Sequence, residues 1–169
     1  MADKVLVAYG SKYGATREIA EKIGEELKKA GLGADIVSAD KVKDLAPYKD
    51  VIIGTAVYMG NGRKEVTGFL KRNIAALQQK RVWCFASGPS GKGDPVQLVK
   101  GERVPVNMKH YMVAINPKEA VVFHGDLSPE RMKGWEKWIV KRVGGETGDF
   151  RDWDMITGWA KKVAEEIKN

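Results

Sequence analysis

The sequence is poor in the residues that staple, ligate and span. It has one cysteine, Cys84, so no internal disulfide can form. Its two histidines, His110 and His124, stand apart from any cysteine or carboxylate at ligand spacing, which disfavours a metal site. No apolar run reaches about twenty residues, so no segment is suited to cross a membrane. "MADKVLVAYG" starts charged and runs straight into an apolar stretch, without the cleavage pattern of a signal peptide. A cytoplasmic location is the expectation. There is no internal repeat, no low-complexity tail and no linker long enough to divide the chain. The 169 residues, 43% of them hydrophobic, are therefore expected to make one domain, 1–169, with a substantial core.

Positive charge is abundant. Lys and Arg number 29 against 22 Asp and Glu, a formal net charge of +7. One reading is an anionic partner: an acidic protein, a membrane surface, a phosphate ligand or nucleic acid. The other is a set of solvated surface lysines. The lysines are scattered and no recognised nucleic-acid module is present, so nucleic acid is not expected.

Strand and helix patterns alternate through the first half. "KVLVAYG" (Lys4–Gly10) is a continuous apolar run, as expected of a strand covered on both faces. "TREIAEKIGEELKKAG" puts Ile19, Ile23, Leu27 and Ala30 on one helical stripe, and Gly31 stops it. Strands are predicted at Ala34–Ala39, Asp50–Tyr58 and Arg81–Gly88, with a helix over residues 63–78 presenting Val66, Phe69, Leu70, Ile74 and Leu77. The second half is less regular. A loop rich in Gly and Pro is followed by a short helix near Asn107–Ile115, a fifth strand at Glu119–Gly125, and helices at Ser128–Val143 and Asp152–Lys168. This alternation implies an α/β fold with a five-stranded, doubly wound parallel sheet and helices on both faces. In such sheets ligands bind outside the carboxyl ends of the strands, so the loops after the first, third and fourth strands are the ones to inspect.

The first of these is "GSKYGATR". Ser11, Tyr13 and Thr16 supply hydroxyls, Gly10 and Gly14 remove side chains, and a helix starts at Ala15. Exposed N–H groups and the positive end of the helix dipole favour a phosphate there, although a plain strand–helix turn has the same residue types. Neither G-x-x-x-x-G-K-[ST] nor G-x-G-x-x-G is present, so this is neither a nucleotide P-loop nor a dinucleotide fingerprint. The second loop, "TAVYMGNGR", sets Tyr58 beside flexible glycines, where a planar ring could stack and a carbonyl could reorient; it also reads as a glycine-rich connection. The third, "SGPSGKGDP", offers backbone N–H groups to the polar edge of a heterocycle, with no clear helix after it. Cys84, mid-strand, reads as a small buried hydrophobe. A phosphoacceptor receiver shares this architecture but needs acidic residues where Gly10, Ser11 and Lys12 stand.

"GSKYGATREIAEKIGEEL" resembles the FMN-phosphate loop and first helix of flavodoxins, roughly Ser/Thr-x-Thr/Tyr-Gly-x-Thr. "VIIGTAVYMG" and the late "VGGETGDFRDWDMITGWAKKVAEEI" are similar to the flavodoxin-like menaquinone-dependent protoporphyrinogen oxidases, which carry a Gly-Gly-Glu-Thr-Asp segment before an Asp-Trp-led last helix. The resemblance runs over nearly the whole chain. It implies a flavodoxin-like fold, non-covalent FMN, and oxidation of protoporphyrinogen IX with a quinone as acceptor, a step of heme biosynthesis. By motif match, Ser11, Lys12, Tyr13, Gly14, Ala15 and Thr16 would hold the phosphate. Thr55, Ala56, Val57, Tyr58, Met59, Gly60 and Asn61, with Ser87, Gly88, Pro89, Ser90 and Gly91, would flank the isoalloxazine ring. No side-chain catalytic base is identified.

The chain departs from that family after the fifth strand. The oxidases have a strongly basic, hydrophobic insertion, and here "SPERMKGWEKWIVKRVGGE" carries Glu130 and Glu136. Over Ser128–Val143 the pattern aligns Met132, Trp135, Ile139 and Val143, with Trp138 beside them and Lys133, Lys137, Lys141 and Arg142 around them. Such a helix can lie on an anionic membrane surface, and the same pattern describes a core-packed surface helix with solvated lysines. Two functions follow: an oxidase acting on a porphyrinogen and a quinone, or a flavodoxin-like electron carrier between redox proteins.

Overall fold

The computed structural model describes residues 4–142 and 147–169. Five parallel strands form the central sheet: β1 (Lys4–Gly10), β2 (Gly33–Ser38), β3 (Tyr48–Tyr58), β4 (Arg81–Ser87) and β5 (Glu119–Phe123). Their order is β2-β1-β3-β4-β5. The register runs straight across, with Val7 opposite Ile52, Ile52 opposite Trp83 and Phe85 opposite Val121. The helices are α1 (Ala15–Lys29), α2 (Lys64–Leu77), α3 (Lys109–Ile115), α4 (Gly134–Arg142) and α5 (Trp153–Lys168). The inner strands β1, β3 and β4 are apolar on both faces because both faces are covered.

Alternation along the strands divides the core in two. Val5, Val7, Ile52, Trp83, Phe85 and Phe123 pack on Ile19, Ile23 and Leu27 of α1 and on Ile156, Trp159 and Val163 of α5. Leu6, Ala8, Val51, Ile53 and Cys84 pack on Val66, Phe69 and Leu70 of α2 and on Met112 and Ile115 of α3. Gly54 makes the first side possible: a Cβ there would lie 2.0 Å from the Phe85 ring. At the amino end of the sheet, buried Asp50 takes two hydrogen bonds from Arg81, 2.6 and 3.1 Å long.

The sequence pattern misplaces several boundaries. β2 and β3 begin earlier than expected, and β5 stops at Phe123 rather than Gly125. The third loop is followed by a single helical turn, Pro95–Leu98, with Asp94 capping the Val96 N–H at 2.9 Å. The largest difference is in Ser128–Val143. Pro129–Arg131 forms a short 3-10 turn, Met132 is extended, and α4 starts only at Gly134, so the expected stripe is broken. Met132 is buried, while Trp135 and Trp138 are 58% and 59% exposed. The residue that α4 buries is Glu136. Val143 and the Gly-Gly-Glu of the GGET segment lie outside the described residues.

Candidate functional site

The carboxyl end of β1 sets up the first loop. A Cβ on Gly10 would lie 2.6 Å from Val66 Cγ2 and 2.9 Å from Arg63 Cβ, so the strand can pass α2 only as glycine. Ser11 Oγ accepts the Gly14 N–H at 2.9 Å, and Gly14, at φ 95°, reverses the chain in the left-handed region that glycine enters freely. α1 then begins at Ala15 with no side-chain cap. Its first N–H groups and its positive dipole end therefore face the loop. Thr16 is buried, and its hydroxyl shares a 2.8 Å hydrogen bond with Ser87 at the end of β4. Among the described residues, the buried Tyr13 hydroxyl has no hydrogen-bond partner.

Ser11, Lys12, Tyr13, Ala15 and Thr16 line a cavity of about 60 Å³ with Ala56, Val57 and Tyr58 from the end of β3 and with Ser87 and Gly88 at the end of β4. Lys12 crosses it. Its ammonium lies 4.2 Å from the Tyr58 ring centroid and 5.9 Å from that of Trp135, and pairs at 2.9 Å with Glu136, whose side chain is 3% exposed. α4 thus turns Glu136 inward, where Lys12 compensates the buried charge, and leaves Trp135 and Trp138 outward.

Of the residues expected to flank a ring, the structure brings Ala56, Val57, Tyr58, Ser87 and Gly88 to this cavity. Thr55 is buried behind it, its hydroxyl accepting the Arg63 N–H at 2.8 Å and donating to the Ala56 carbonyl. Met59 and Gly60, at φ 51° and 81°, form the tight turn between Tyr58 and Asn61, whose strands pair antiparallel. The Gly60 carbonyl accepts the Val106 N–H at 3.0 Å, so a carbonyl expected to reorient is held. Gly60 and Pro89 line a second cavity, while Gly14, Met59, Asn61, Ser90 and Gly91 line neither.

The sequence reading omits the loop after β5, although it too lies at a carboxyl end. Gly125, Asp126 and Leu127 line the first cavity, as does Arg63. Two arginines from the last third of the chain grip the first loop from outside. Arg131 donates to the Tyr13 carbonyl at 3.0 Å, to both Glu18 oxygens at 2.8 Å, and pairs with buried Asp126 at 2.8 Å. Arg151, whose side chain is 5% exposed, reaches the Ala15 carbonyl at 3.2 Å, Glu18 at 3.3 Å and Asp149 at 2.8 Å. Burial alone would raise the Glu18 carboxyl, but the hydrogen bonds from Arg131 and Arg151 hold it below the usual glutamate value. Hydrogen bonding from Arg151 holds Asp149 below the usual aspartate value. No local motif marks these partners, which lie more than a hundred residues from the loop.

The comparisons with known proteins agree with this geometry. A family model described as "Flavodoxin domain" matches residues 6–154. The chain is 24% identical over 177 residues to "Protoporphyrinogen IX dehydrogenase [quinone]" of Escherichia coli (strain K12), covering 95% of this chain and 94% of that one. A stretch of 98 residues is 34% identical to "NADPH-dependent diflavin oxidoreductase 1" of Arabidopsis thaliana, covering 52% of this chain and 16% of that one. Among solved structures, a flavodoxin from the domain Archaea superposes with a TM-score of 0.67 at 16% identity, covering 98% of this chain and 99% of that one. The rubredoxin oxygen:oxidoreductase of Desulfovibrio gigas gives 0.64 at 13% identity, over 99% of this chain and 36% of that one. The chain belongs to the flavodoxin domain family.

Proposed function

We propose that the chain binds FMN at the first cavity and is a flavin-dependent oxidoreductase that oxidises a protoporphyrinogen and passes the electrons to a quinone. The observation that carries the cofactor assignment is the uncapped start of α1 behind Ser11, Gly14 and Thr16, with the unpartnered Tyr13 hydroxyl buried beside it. These groups fit a phosphate bound through neutral donors and a helix dipole. The substrate assignment rests on the protoporphyrinogen dehydrogenase relative, which matches nearly end to end.

When bound, FMN supplies the redox chemistry, taking a hydride equivalent from the substrate and releasing electrons to the acceptor. The chain's own residues bind and orient it. Ser11, Thr16 and the first N–H groups of α1 would hold its phosphate. Tyr58 offers a face for stacking, and Val57 and Gly88 close the inner edge against water. A cavity of about 60 Å³ is far below the roughly 300–1,000 Å³ of ordinary ligand pockets, so admitting a ring would require the Lys12 and Tyr58 side chains to move outward. Glu136 sets the cost of that movement by holding Lys12. Exposed Trp135 and Trp138, with Lys133, Lys137, Lys141 and Arg142 around them, would let α4 rest on an anionic membrane surface where a quinone is met. An electron carrier remains the second reading, favoured by Met59, which is 83% exposed beside Tyr58 where a protein partner would dock.

The visible spectrum of the purified protein with micromolar FMN tests the cofactor assignment; no flavin band and no quenching of flavin fluorescence would sink both readings. Anaerobic mixing of the loaded protein with protoporphyrinogen and a menaquinone analogue separates them. Porphyrin fluorescence growing above a no-enzyme control is expected, and its failure to grow selects the carrier.

A further inference from the structure

The loop after β4 is fastened at two places, by bonds of different kinds. Its root lies on the sheet: the Gly88 N–H donates to the Phe123 carbonyl at 3.3 Å, and the Pro89 carbonyl accepts the Gly125 N–H at 3.1 Å. Gly88 and Gly125 meet there through backbone, since a Cβ on Gly125 would lie 2.8 Å from Gly88 Cα, and both residues line the first cavity. Beyond Pro89 the backbone bonds stop. Among the described residues, Ser90, Gly91 and Lys92 find no hydrogen-bond partner. Gly91 and Gly93, at φ 98° and 115°, bend this span back over the end of β5.

The far end of the span is held by one side chain. His124, which follows β5, is 8% exposed, and its Nε2 lies 2.8 Å from the Gly93 carbonyl oxygen. A carbonyl only accepts, so Nε2 carries the proton and donates. The other ring nitrogen, Nδ1, is buried with no partner among the described residues. All of the hydrogen bonding that this imidazole does therefore goes to the loop, and an acceptor is left unmet beside it. A position filled for packing alone has no reason to bury an unmet acceptor; a donor for the loop has one.

We infer that His124 is a positioning residue: it latches residues 88–93 in one shape and so fixes the wall that this loop gives the flavin ring. The inference rests on the cofactor reading above and adds to it a residue outside the loop that sets the loop's order. The ring then meets a wall already ordered and does not have to order it on binding.

His124→Phe keeps a ring in the space and removes the donor, whereas His124→Gln removes the ring and keeps an N–H donor at a similar reach. Trypsin at pH 8 reads the latch, because Lys92 is exposed within the span and cleavage after it, followed by mass spectrometry, needs the loop to open. His124→Phe should speed that cleavage by about fivefold or more, with His124→Gln within about twofold of wild type. Fluorescence titration should show FMN and riboflavin weakened alike in His124→Phe, by about threefold to tenfold, and both restored in His124→Gln. The urea midpoint of His124→Phe should not fall, since the variant also removes the unmet Nδ1. A stable fold with a loose loop is a combination that a packing role does not give. Unchanged cleavage in His124→Phe overturns the latch, as do midpoints that fall in both variants in step with faster cleavage. Faster cleavage with unchanged flavin affinity overturns the latch's service to the ring, and so does a loss for FMN that riboflavin does not share. Wild type that takes up neither flavin, with the contrast in cleavage between the two variants intact, keeps the latch and removes the cofactor reading instead.

Discussion

The loops at the carboxyl ends of β1 and β4 are both glycine-rich, and they are held in opposite ways. The β1 loop is short and fixed by charge: Arg131 and Arg151 grip its Tyr13 and Ala15 carbonyls while anchored to Glu18, Asp126 and Asp149. The β4 loop is long and held mainly by neutral bonds, with one exposed ion pair, Glu102 to Lys109 at 2.7 Å. Its Pro89 and Gly93 carbonyls accept from Gly125 and His124, and Asn107 pairs with Gly62 through two bonds of 2.8 and 3.0 Å. Four of its residues, Gly91, Gly93, Lys100 and Gly101, sit at positive φ. A short loop braced by charge suits a constant group such as the proposed phosphate, whereas a longer loop has more freedom to adjust.

Arg151→Ala should break the comparison most severely. It leaves Asp126 and Glu18 with one guanidinium instead of two and strips Asp149, which costs about 3 kcal/mol by analogy with other broken buried pairs. The equivalent change on the other loop, Arg103→Ala, removes one long hydrogen bond from an exposed side chain and should stay within about 0.5 kcal/mol. Urea denaturation midpoints measure both. Equal losses would mean that charge does not distinguish the two loops.

A smaller effect is expected at the seat itself. Thr16→Val removes a buried hydroxyl that hydrogen-bonds Ser87 beside the proposed phosphate seat. FMN affinity should fall by about tenfold, or roughly 1.4 kcal/mol, while riboflavin, which lacks the phosphate, loses less than about twofold. Gly14→Val, forcing a β-branched residue to φ 95°, should show the same discrimination. Equal losses of both ligands in titrations of flavin fluorescence would remove the phosphate from this loop.

Of the two loops, acid should act on the β1 one. Glu18 and Asp149 have folded values below their ordinary 4.5 and 3.8, so the stability they supply is complete above those values and is lost as the pH falls through the folded ones. Midpoints in urea should drop between about pH 5 and pH 3, and Glu18→Gln should flatten part of that slope. An unchanged slope in the variant would show that Glu18 does not carry the effect.

Much of the fold is legible because it is written locally. Runs such as "KVLVAYG" and "RVWCFASG" can only be doubly covered strands, and their alternation with helices dictates the sheet. The β1 loop is legible for the same reason, since Ser11, Gly14 and Ala15 interact within four residues. What escapes is what depends on distant partners. The Met132–Trp135–Ile139 spacing is a sound helical stripe, yet the helix starts only at Gly134 and the residue it turns inward is Glu136, paired with Lys12 from across the fold. Asp126, Arg131 and Arg151 look like ordinary surface charges until the fold brings them to Glu18. The second cavity joins Val57, Gly60, Gly88 and Pro89, which lie in loops the sequence does mark, to residues 98–106, which carry no motif.

The smallest expected effect asks whether the adjustability of the β4 loop extends into the core beneath it. Cys84 lies on that side, buried, with its thiol 3.4 Å from the Met112 sulfur. Burial pushes the thiol up to about 12, so it stays neutral and shielded at pH 8, where an open chain, with an ordinary value of 9.0, reacts. The sign follows directly: the raised value favours the folded state below about 9, and that contribution is lost as the pH rises through 12. Iodoacetamide labelling at pH 8 should therefore be slow in buffer and become rapid only across the urea transition. Slow labelling confines adjustment to residues 88–106, above an intact α2/α3 side. Rapid labelling in buffer would place the opening inside the sheet, and the contrast between the two loops would then be one between two halves of the core.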